Sequence, residues 1–161
     1  MAVDIFIKLG DIKGESQDSV HKEEIEVLSW SWGCAQTGTT HSGTGGGTGT
    51  ASVQDLSFSK YLDKSSPTIA QACCQGAHMP EVVLTMRKAG GKEPVEYMKI
   101  TLNEVIISTY SVGMSGGDQA SENVSLNFAK YKVEYQPQDN NGAKKGGVVT
   151  GKWNVPENKS E

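Results

Sequence analysis

Two glycine-containing segments resemble nucleotide-binding loops, and neither meets the requirements of one. The run HSGTGGGTGT, residues 41–50, contains five glycines, but a dinucleotide-binding turn needs a G-x-G-x-x-G pattern that opens a helix after a strand. No placement of that pattern fits here, and the residues that follow are typical of a strand. The segment GGVVTGKW, residues 146–153, ends in Trp153 where a phosphate-binding loop has Ser or Thr to hold Mg²⁺. We therefore predict no nucleotide or other cofactor.

The cysteines and histidines do not have the spacing of a metal site. Cys73, Cys74 and His78 lie close together, but adjacent residues on a helix point about 100° apart because one turn holds about 3.6 residues. The sequence contains no C-x-x-C or H-x-x-x-H pair. Structural zinc sites are closed sets of four ligands, so we predict buried thiols at the two cysteines and no metal. His21 and His41 lie in polar stretches and are predicted to be solvated.

No recognisable pairing of nucleophile and base indicates an enzyme. Cys34 has no partner histidine that the sequence identifies. Glu23, Glu24 and Glu122 are interpreted as exposed carboxylates at strand ends. A hydrolase that uses Cys34 or these acids is a minor hypothesis, and it predicts that Cys34→Ala abolishes turnover. We predict a protein without catalytic residues.

Composition and charge limit the classes of partner. The chain has 161 residues, a net charge of −4 and a single arginine, Arg87, whereas nucleic-acid-binding proteins usually carry a basic, arginine-containing face. No apolar run approaches the about 18–20 residues that span a bilayer, and the first sixteen residues lack the pattern of a secretory signal. We expect one domain over residues 1–161, no nucleic acid and no membrane insertion.

Alternation of apolar and polar residues predicts a mainly β fold. The predicted strands cover residues 3–9, 25–33, 52–62, 81–88, 95–102, 105–110, 123–135 and 148–154. Asn103-Glu104 is predicted to reverse the chain between two of them. In the strand 123–135 the apolar phase changes from even to odd positions, which predicts a bulge or bend near Ala129.

One short helix interrupts the strands. Ser66 is the predicted N-cap, Pro67 suits the first helical position, and Gly76 suits the position after the helix ends. A helix of two or three turns is marginal alone and needs a sheet to pack against. Together these elements predict an antiparallel β-barrel or sandwich with one helix.

The strand at residues 25–33 has two different faces. Leu28, Trp30 and Trp32 share one face and are predicted to fill the core. Ser29 and Ser31 form the small, polar opposite face, which lies against either bulk water or an enclosed wet space. A monomeric barrel that binds a small molecule is the alternative function, and a filled interior would exclude it.

Segments along essentially the whole chain resemble the haemolysin-coregulated protein (Hcp) family of bacterial type VI secretion systems. They are, in order, MAVDIFIKLGDIKGES, IEVLSWSWG, the glycine-rich insertion, VQDLSFSKYLDKSSP before the helix, RKAGG, VEYMKITLNEV, and YQPQDNNGAKKGG followed by GKWNV. The resemblance implies a two-sheet antiparallel β-barrel with one short helix that assembles into a hexameric ring. Rings of this family stack into an inner tube, similar to phage tail tubes, that a contractile sheath propels.

The resemblance also implies partners and sites. The partners are five further copies in a homo-hexamer, stacked rings, sheath and spike components, and small effector proteins carried in the lumen; the protein leaves the bacterial cytoplasm without a cleaved signal peptide. Residues 38–51 would be the extended loop that contacts a neighbouring subunit or ring. Its predicted contact residues are Gly43, Thr44, Gly45, Gly46, Gly47, Thr48 and Gly49. Ser31 is predicted to line the lumen, with the smaller side of residues 81–88 as the alternative lining.

Overall fold

The computed structural model describes residues 3–38, 49–88 and 93–161. The strands that these residues form are β1 (Val3–Leu9), β2 (Ile25–Glu26), β3 (Ser29–Ser31), β4 (Cys34–Ala35), β5 (Ser52–Val53), β6 (Leu56–Tyr61), β7 (His78–Lys88), β8 (Val95–Gly113), β9 (Ser121–Tyr135) and β10 (Val149–Asn154). Helix α1 (Ser66–Gln75) lies between β6 and β7. The predicted loop residues Gly43 to Thr48 fall outside the described residues.

The main sheet is antiparallel and curls until its two ends meet. The strand order is β2-β1-β7-β8-β9-β6-β3, and β10 is an additional strand that pairs with β9. Strands β4 and β5 form a separate two-stranded sheet. Val27 donates its N–H to the carbonyl of Ile5 at 2.9 Å, and the next residue, Leu28, donates to the carbonyl of Ser59 at 2.8 Å. The chain therefore passes from one end of the sheet to the other within two residues. The predicted antiparallel β-barrel with a short helix is confirmed.

This crossing interrupts the strand that the sequence predicts at residues 25–33. Val27 is 8% exposed and belongs to the core, whereas Leu28 is 46% exposed. The prediction that Leu28 shares a buried face with the tryptophans is wrong, because the chain changes strand partners just before it. Trp30 and Trp32 do pack against the core, partly buried.

The predicted reversal at Asn103-Glu104 is also wrong. Strand β8 is continuous and pairs with β7 and β9 on both sides of this dipeptide. Glu104 has a φ of 54°, a left-handed conformation that bends the strand instead of reversing it. The buried positions consequently pass from Leu102 to Val105. Ala129 lies opposite this bend, where β9 exchanges β6 for β10 as its neighbour, so the predicted bend near Ala129 is confirmed.

Helix α1 packs on the sheet through Ile69, which is fully buried. Gly76 ends the helix in the left-handed conformation, with a φ of 60°, as glycine does most readily. The predicted N-cap is displaced by one residue: Ser65 is the N-cap, and Ser66 is the first helical residue. The side chain of Ser66 turns inward to donate to Glu122 at 2.6 Å, so it is not available for capping.

The interior is filled by side chains from the main sheet and the helix. Leu56, Ile100 and Leu126 are fully buried and belong to one continuous apolar cluster with Phe58 and Ile69. A filled interior argues against the alternative of a barrel that encloses a small molecule. Among the described residues, no helix is long and apolar enough to span a membrane.

The structure corrects two predictions about cysteine and histidine. Cys74 is exposed and Cys73 is partly buried, because the helix presents other residues to the sheet; the prediction of two buried thiols is wrong. His21, predicted to be solvated, is 6% exposed and stacks on Phe6. His41 is outside the described residues. No group of three metal-ligating side chains converges within the part of the chain that the structure describes.

Candidate functional site

Four adjacent strands place small polar side chains on the side of the sheet that faces away from the core. Side chains alternate along a strand, so a register between strands aligns them in rows across the sheet. One row contains Ser31, Ser57, Ser125 and Thr109, and the next contains Ser29, Ser59, Asn123 and Ser111. All eight are exposed or partly exposed, and none is charged. We call these eight residues the polar face.

Hydroxyl groups in the polar face bond to one another across strands. The Oγ atoms of Ser29 and Ser59 are 2.6 Å apart, and those of Ser57 and Ser125 are 2.9 Å apart. A hydroxyl carries one donor and two acceptor positions, so each pair keeps capacity for further partners. The polar face can therefore bind water or a polar partner without an unpaired charge.

A bulge in β8 brings that strand into the polar face. The register with β9 shifts between Ile107 and Thr109, which makes Ser108 an extra residue. A bulge of one residue reverses which side chains face outward. Thr109 and Ser111 consequently point away from the core, and Tyr110 points toward it. Beside the bulge, the Asp55 carboxylate accepts hydrogen bonds from Ser108 at 2.6 Å and from Asn127 at 2.9 Å.

A buried ion pair lies directly behind the polar face. Lys60 and Glu122 are register partners on β6 and β9, and both are fully buried. The Lys60 ammonium donates to Glu122 Oε1, to the Tyr61 carbonyl at 3.0 Å and to Ser66 Oγ at 3.2 Å. It also lies 3.1 Å from the Asp63 carboxylate. The prediction that Glu122 is an exposed strand-end carboxylate is wrong, because its strand passes beneath the start of α1.

Tyr110 completes this buried cluster. Burial raises the pKa of Tyr110 to about 12, and the carboxylates of Glu122 and Asp63 contribute further to that rise. The phenol therefore stays protonated at physiological pH. Glu122 Oε2 has no hydrogen-bond partner among the described side chains. The cluster ties the start of α1 to the two strands that carry the centre of the polar face.

The two candidate nucleophiles, Ser115 and Cys34, lie on exposed segments. The string GMSGG, residues 113–117, has the spacing of a nucleophile elbow, but Ser115 lies in the exposed connection between β8 and β9 and no helix follows it. Cys34 is exposed on the short strand β4. Burial raises the pKa of Tyr131, and the electrostatic effect of the nearby Cys34 adds to that rise.

Comparison with known proteins decides the family. The family model described as "Type VI secretion system effector, Hcp" matches residues 6–135. The chain is 58% identical to protein hcp1 of Pseudomonas aeruginosa over 159 residues, and this alignment covers 98% of each sequence. The chain belongs to the Hcp family. It is therefore a type VI secretion protein, of a family whose members are structural and secreted.

Solved structures of Hcp proteins share this fold. Hcp1 from Salmonella typhimurium is 39% identical, with a TM-score of 0.83 and full coverage of both chains. A structure described as a type six secretion system protein is 34% identical, with a TM-score of 0.91 over 99% of this chain and 100% of that one. The Hcp resemblance seen in the sequence is thereby confirmed.

Of the residues predicted to form sites, Ser31 and Gly49 can be located. Ser31 is exposed and belongs to the polar face, and Gly49 is exposed at the end of the segment that precedes β5. The sequence analysis also places Ser29 on this face, and it does not predict the other six members. For four of these six the signal is the alternation of small polar residues in SFS (residues 57–59) and NVSLN (residues 123–127), which matches that of SWS at residues 29–31.

Proposed function

We propose that this Hcp chain is a structural subunit of a secretion tube, in which six copies form a ring, rings stack, and the polar face lines a lumen that carries small effector proteins. The observation that carries the proposal is the polar face itself. Eight small, uncharged, hydrogen-bonding side chains cover four adjacent strands. Surfaces made for permanent protein contacts usually expose contiguous apolar area instead.

The chemistry of the polar face suits a wall along which a protein cargo is held and released. Serine hydroxyls bond equally well to water and to a polar protein surface, so each contact exchanges with water at a small net free energy. The absence of charge avoids electrostatic preference for one cargo over another. Residues 81–88, the alternative lining, fit less well, because Thr85 is 2% exposed and Arg87 is engaged in ion pairs.

Free strand edges on both sides of the polar face support a ring. Within the part of the chain that the structure describes, β3 pairs with β6 alone, and the β8 residues 107–113 pair with β9 alone. Unpaired edges are templates for pairing with another chain. Two different edges on one subunit make a heterologous contact, which closes into a ring when the rotation allows.

The ring is tested by measuring mass and shape. Light scattering of the purified protein should give the mass of six copies, and negative-stain images should show a six-fold ring. A clean monomer at micromolar concentration would contradict the proposal.

The lumen is tested with Ser31→Gln and a matched control, Ser19→Gln, at an exposed position in the β1–β2 connection. Both variants should form rings, because neither residue is in the core. Mass spectrometry of co-purifying proteins should show cargo retained by Ser19→Gln and reduced in Ser31→Gln. Equal retention by the two variants would remove Ser31 from the lumen.

The contact loop is tested by shortening the segment Gly43 to Gly49. If these residues contact the next ring, the shortened protein should still form hexamers and should stack and be secreted less well. Unchanged stacking and secretion would count against the proposed contact. Loss of the folded protein would show instead that the segment belongs to the scaffold.

A further inference from the structure

The connection between β1 and β2, residues 10–24, is an ordered loop folded against the sheet. Gly14 donates its N–H to the Glu23 carbonyl at 2.7 Å, and Glu23 donates in return to the Ser16 carbonyl at 2.8 Å. The backbone N–H of Ser16 also donates to the Glu24 carbonyl at 3.0 Å. We call residues 10–24 the β1–β2 loop. The proposed lumen involves neither this loop nor its contacts with the sheet.

His21 fastens this loop to the sheet through both of its ring nitrogens. Nδ1 lies 2.9 Å from Glu24 Oε2 within the loop, and Nε2 lies 2.6 Å from Glu96 Oε1 on β8. The imidazole stacks on Phe6 of β1, with ring centroids 4.6 Å apart and an interplanar angle of 13°. The ring therefore joins the loop, β1 and β8.

This geometry is satisfied by only one protonation state. A neutral imidazole has one N–H donor and one acceptor nitrogen, and an ionised carboxylate only accepts. If His21 is neutral, one of its two nitrogens presents a lone pair to a carboxylate oxygen. If His21 is the imidazolium, both nitrogens donate, and both contacts are charge-assisted hydrogen bonds.

Further charged groups surround His21. Asp18 of the loop accepts the His21 backbone N–H at 3.1 Å. Arg87 of β7 bonds to Asp18 at 2.7 Å and to Asp4 of β1 at 3.0 Å, and its guanidinium lies 5.1 Å from the Phe6 ring centroid. The neighbours of His21 in the chain, Lys22 and Glu23, are exposed. With a neutral ring, four carboxylates would share one guanidinium.

We propose that the protonation state of His21 controls the β1–β2 loop. The imidazolium holds the loop against β8, and the neutral ring releases it. The contribution of the imidazolium is present at low pH and is lost as pH rises. Glu96 is 39% exposed, so water can replace the lost contact and the opening stays local. Release also weakens the contact between the Glu15 carboxylate and the Lys64 backbone N–H, which ties the loop to the segment before α1.

The test is hydrogen exchange of the loop, measured by mass spectrometry at about pH 5.5 and about pH 8.5, on either side of the usual histidine range. Each rate is divided by that of an unstructured peptide at the same pH, which removes the chemical effect of pH. The normalised exchange of residues 10–24 should rise about tenfold at the higher pH, as expected for one lost charge-assisted hydrogen bond. Exchange of β9 should not change.

Glu96→Gln supplies the decisive variant, because an amide can donate to a neutral imidazole nitrogen as well as accept from it. Its loop exchange should be independent of pH, whereas Glu81→Gln, an exposed change on β7, should keep the wild-type response. Unchanged wild-type loop protection between the two pH values would overturn the proposal. So would a Glu96→Gln variant, with β9 still protected, that responds to pH as the wild type does.

Discussion

Replacing Lys60 with methionine should destabilise the protein more than almost any other single change at a charged residue. Methionine retains the apolar stem but removes an ammonium group that contacts Glu122, Ser66 Oγ at 3.2 Å, the Tyr61 carbonyl at 3.0 Å and Asp63 at 3.1 Å. Both members of the ion pair are fully buried, so water cannot replace the lost contacts. Removing one member of a buried pair costs about 3–5 kcal/mol.

The size of the effect translates into a clear thermal shift. In proteins of about 150–250 residues, 1 kcal/mol moves the midpoint of thermal unfolding by about 2–4 °C. Lys60→Met should therefore lower the midpoint by roughly 6–20 °C. Lys152→Met, on the exposed part of β10, is the matched control and should shift it by no more than about 1–2 °C.

A double variant distinguishes the buried charge from simple loss of packing. Lys60→Met with Glu122→Leu removes both charges, and replacing a buried pair with apolar residues is often close to neutral. The double variant should therefore be more stable than Lys60→Met alone, although Ser66 and Asp63 lose partners. The single variant Glu122→Leu completes the comparison. If the double variant is destabilised by the sum of the two single-variant costs, the two side chains do not interact.

The assays are thermal and denaturant unfolding, each followed by tryptophan fluorescence at one fixed protomer concentration. A fixed concentration is needed because assembly of copies adds to apparent stability by mass action. A cost below about 1 kcal/mol for Lys60→Met, the range of exposed pairs, would refute the reasoning. It would mean that water enters the cluster and that the pair is not buried in solution.

Three further changes probe the loop and the helix. Gly14→Ala should cost about 1–3 kcal/mol in chemical denaturation, since a Cβ there would lie 2.5 Å from the Glu24 carbonyl oxygen. Arg87 holds the pKa of Asp18 well below its usual range. The pair therefore stabilises the protein above about pH 4 and loses this effect as pH falls further. The difference in thermal midpoint between wild type and Arg87→Lys should consequently shrink between about pH 5 and about pH 2. Ile69→Ala should cost about 2–5 kcal/mol by the same denaturation assay, because the side chain is fully buried beneath α1.

The sequence predicts most strands because alternation is a local property. It also locates the bend near Ala129, since a change of apolar phase within one strand is visible without knowing the partner strand. It does not reveal that the chain changes partners between Val27 and Leu28, because Ile5 and Ser59 are distant in sequence. Asn103-Glu104 has the composition of a turn, and only its pairing on both sides shows a bend.

The charged residues show most clearly what one sequence leaves open. Lysine, glutamate and histidine in polar surroundings are usually exposed, and that expectation fails for Lys60, Glu122 and His21. Each is buried by a partner far along the chain: Glu122 lies 62 residues after Lys60, and Glu96 lies 75 residues after His21. Resemblance to the family predicts Ser31 as a lumen residue and alternation places Ser29 on the same face, whereas the other six members of the polar face require the register of four strands.

The polar face and the buried cluster are two consequences of the same alternation. A strand that presents serine outward at every second residue gains little packing on that side, so its inward residues must supply the stabilisation. Phe58 and Val124 do this for the centre of the face. At the next inward position the register brings Lys60 against Glu122, and charged partners with fixed geometry fasten the helix there. A subunit built this way can keep its polar face free of apolar side chains because its stability comes from the residues behind it.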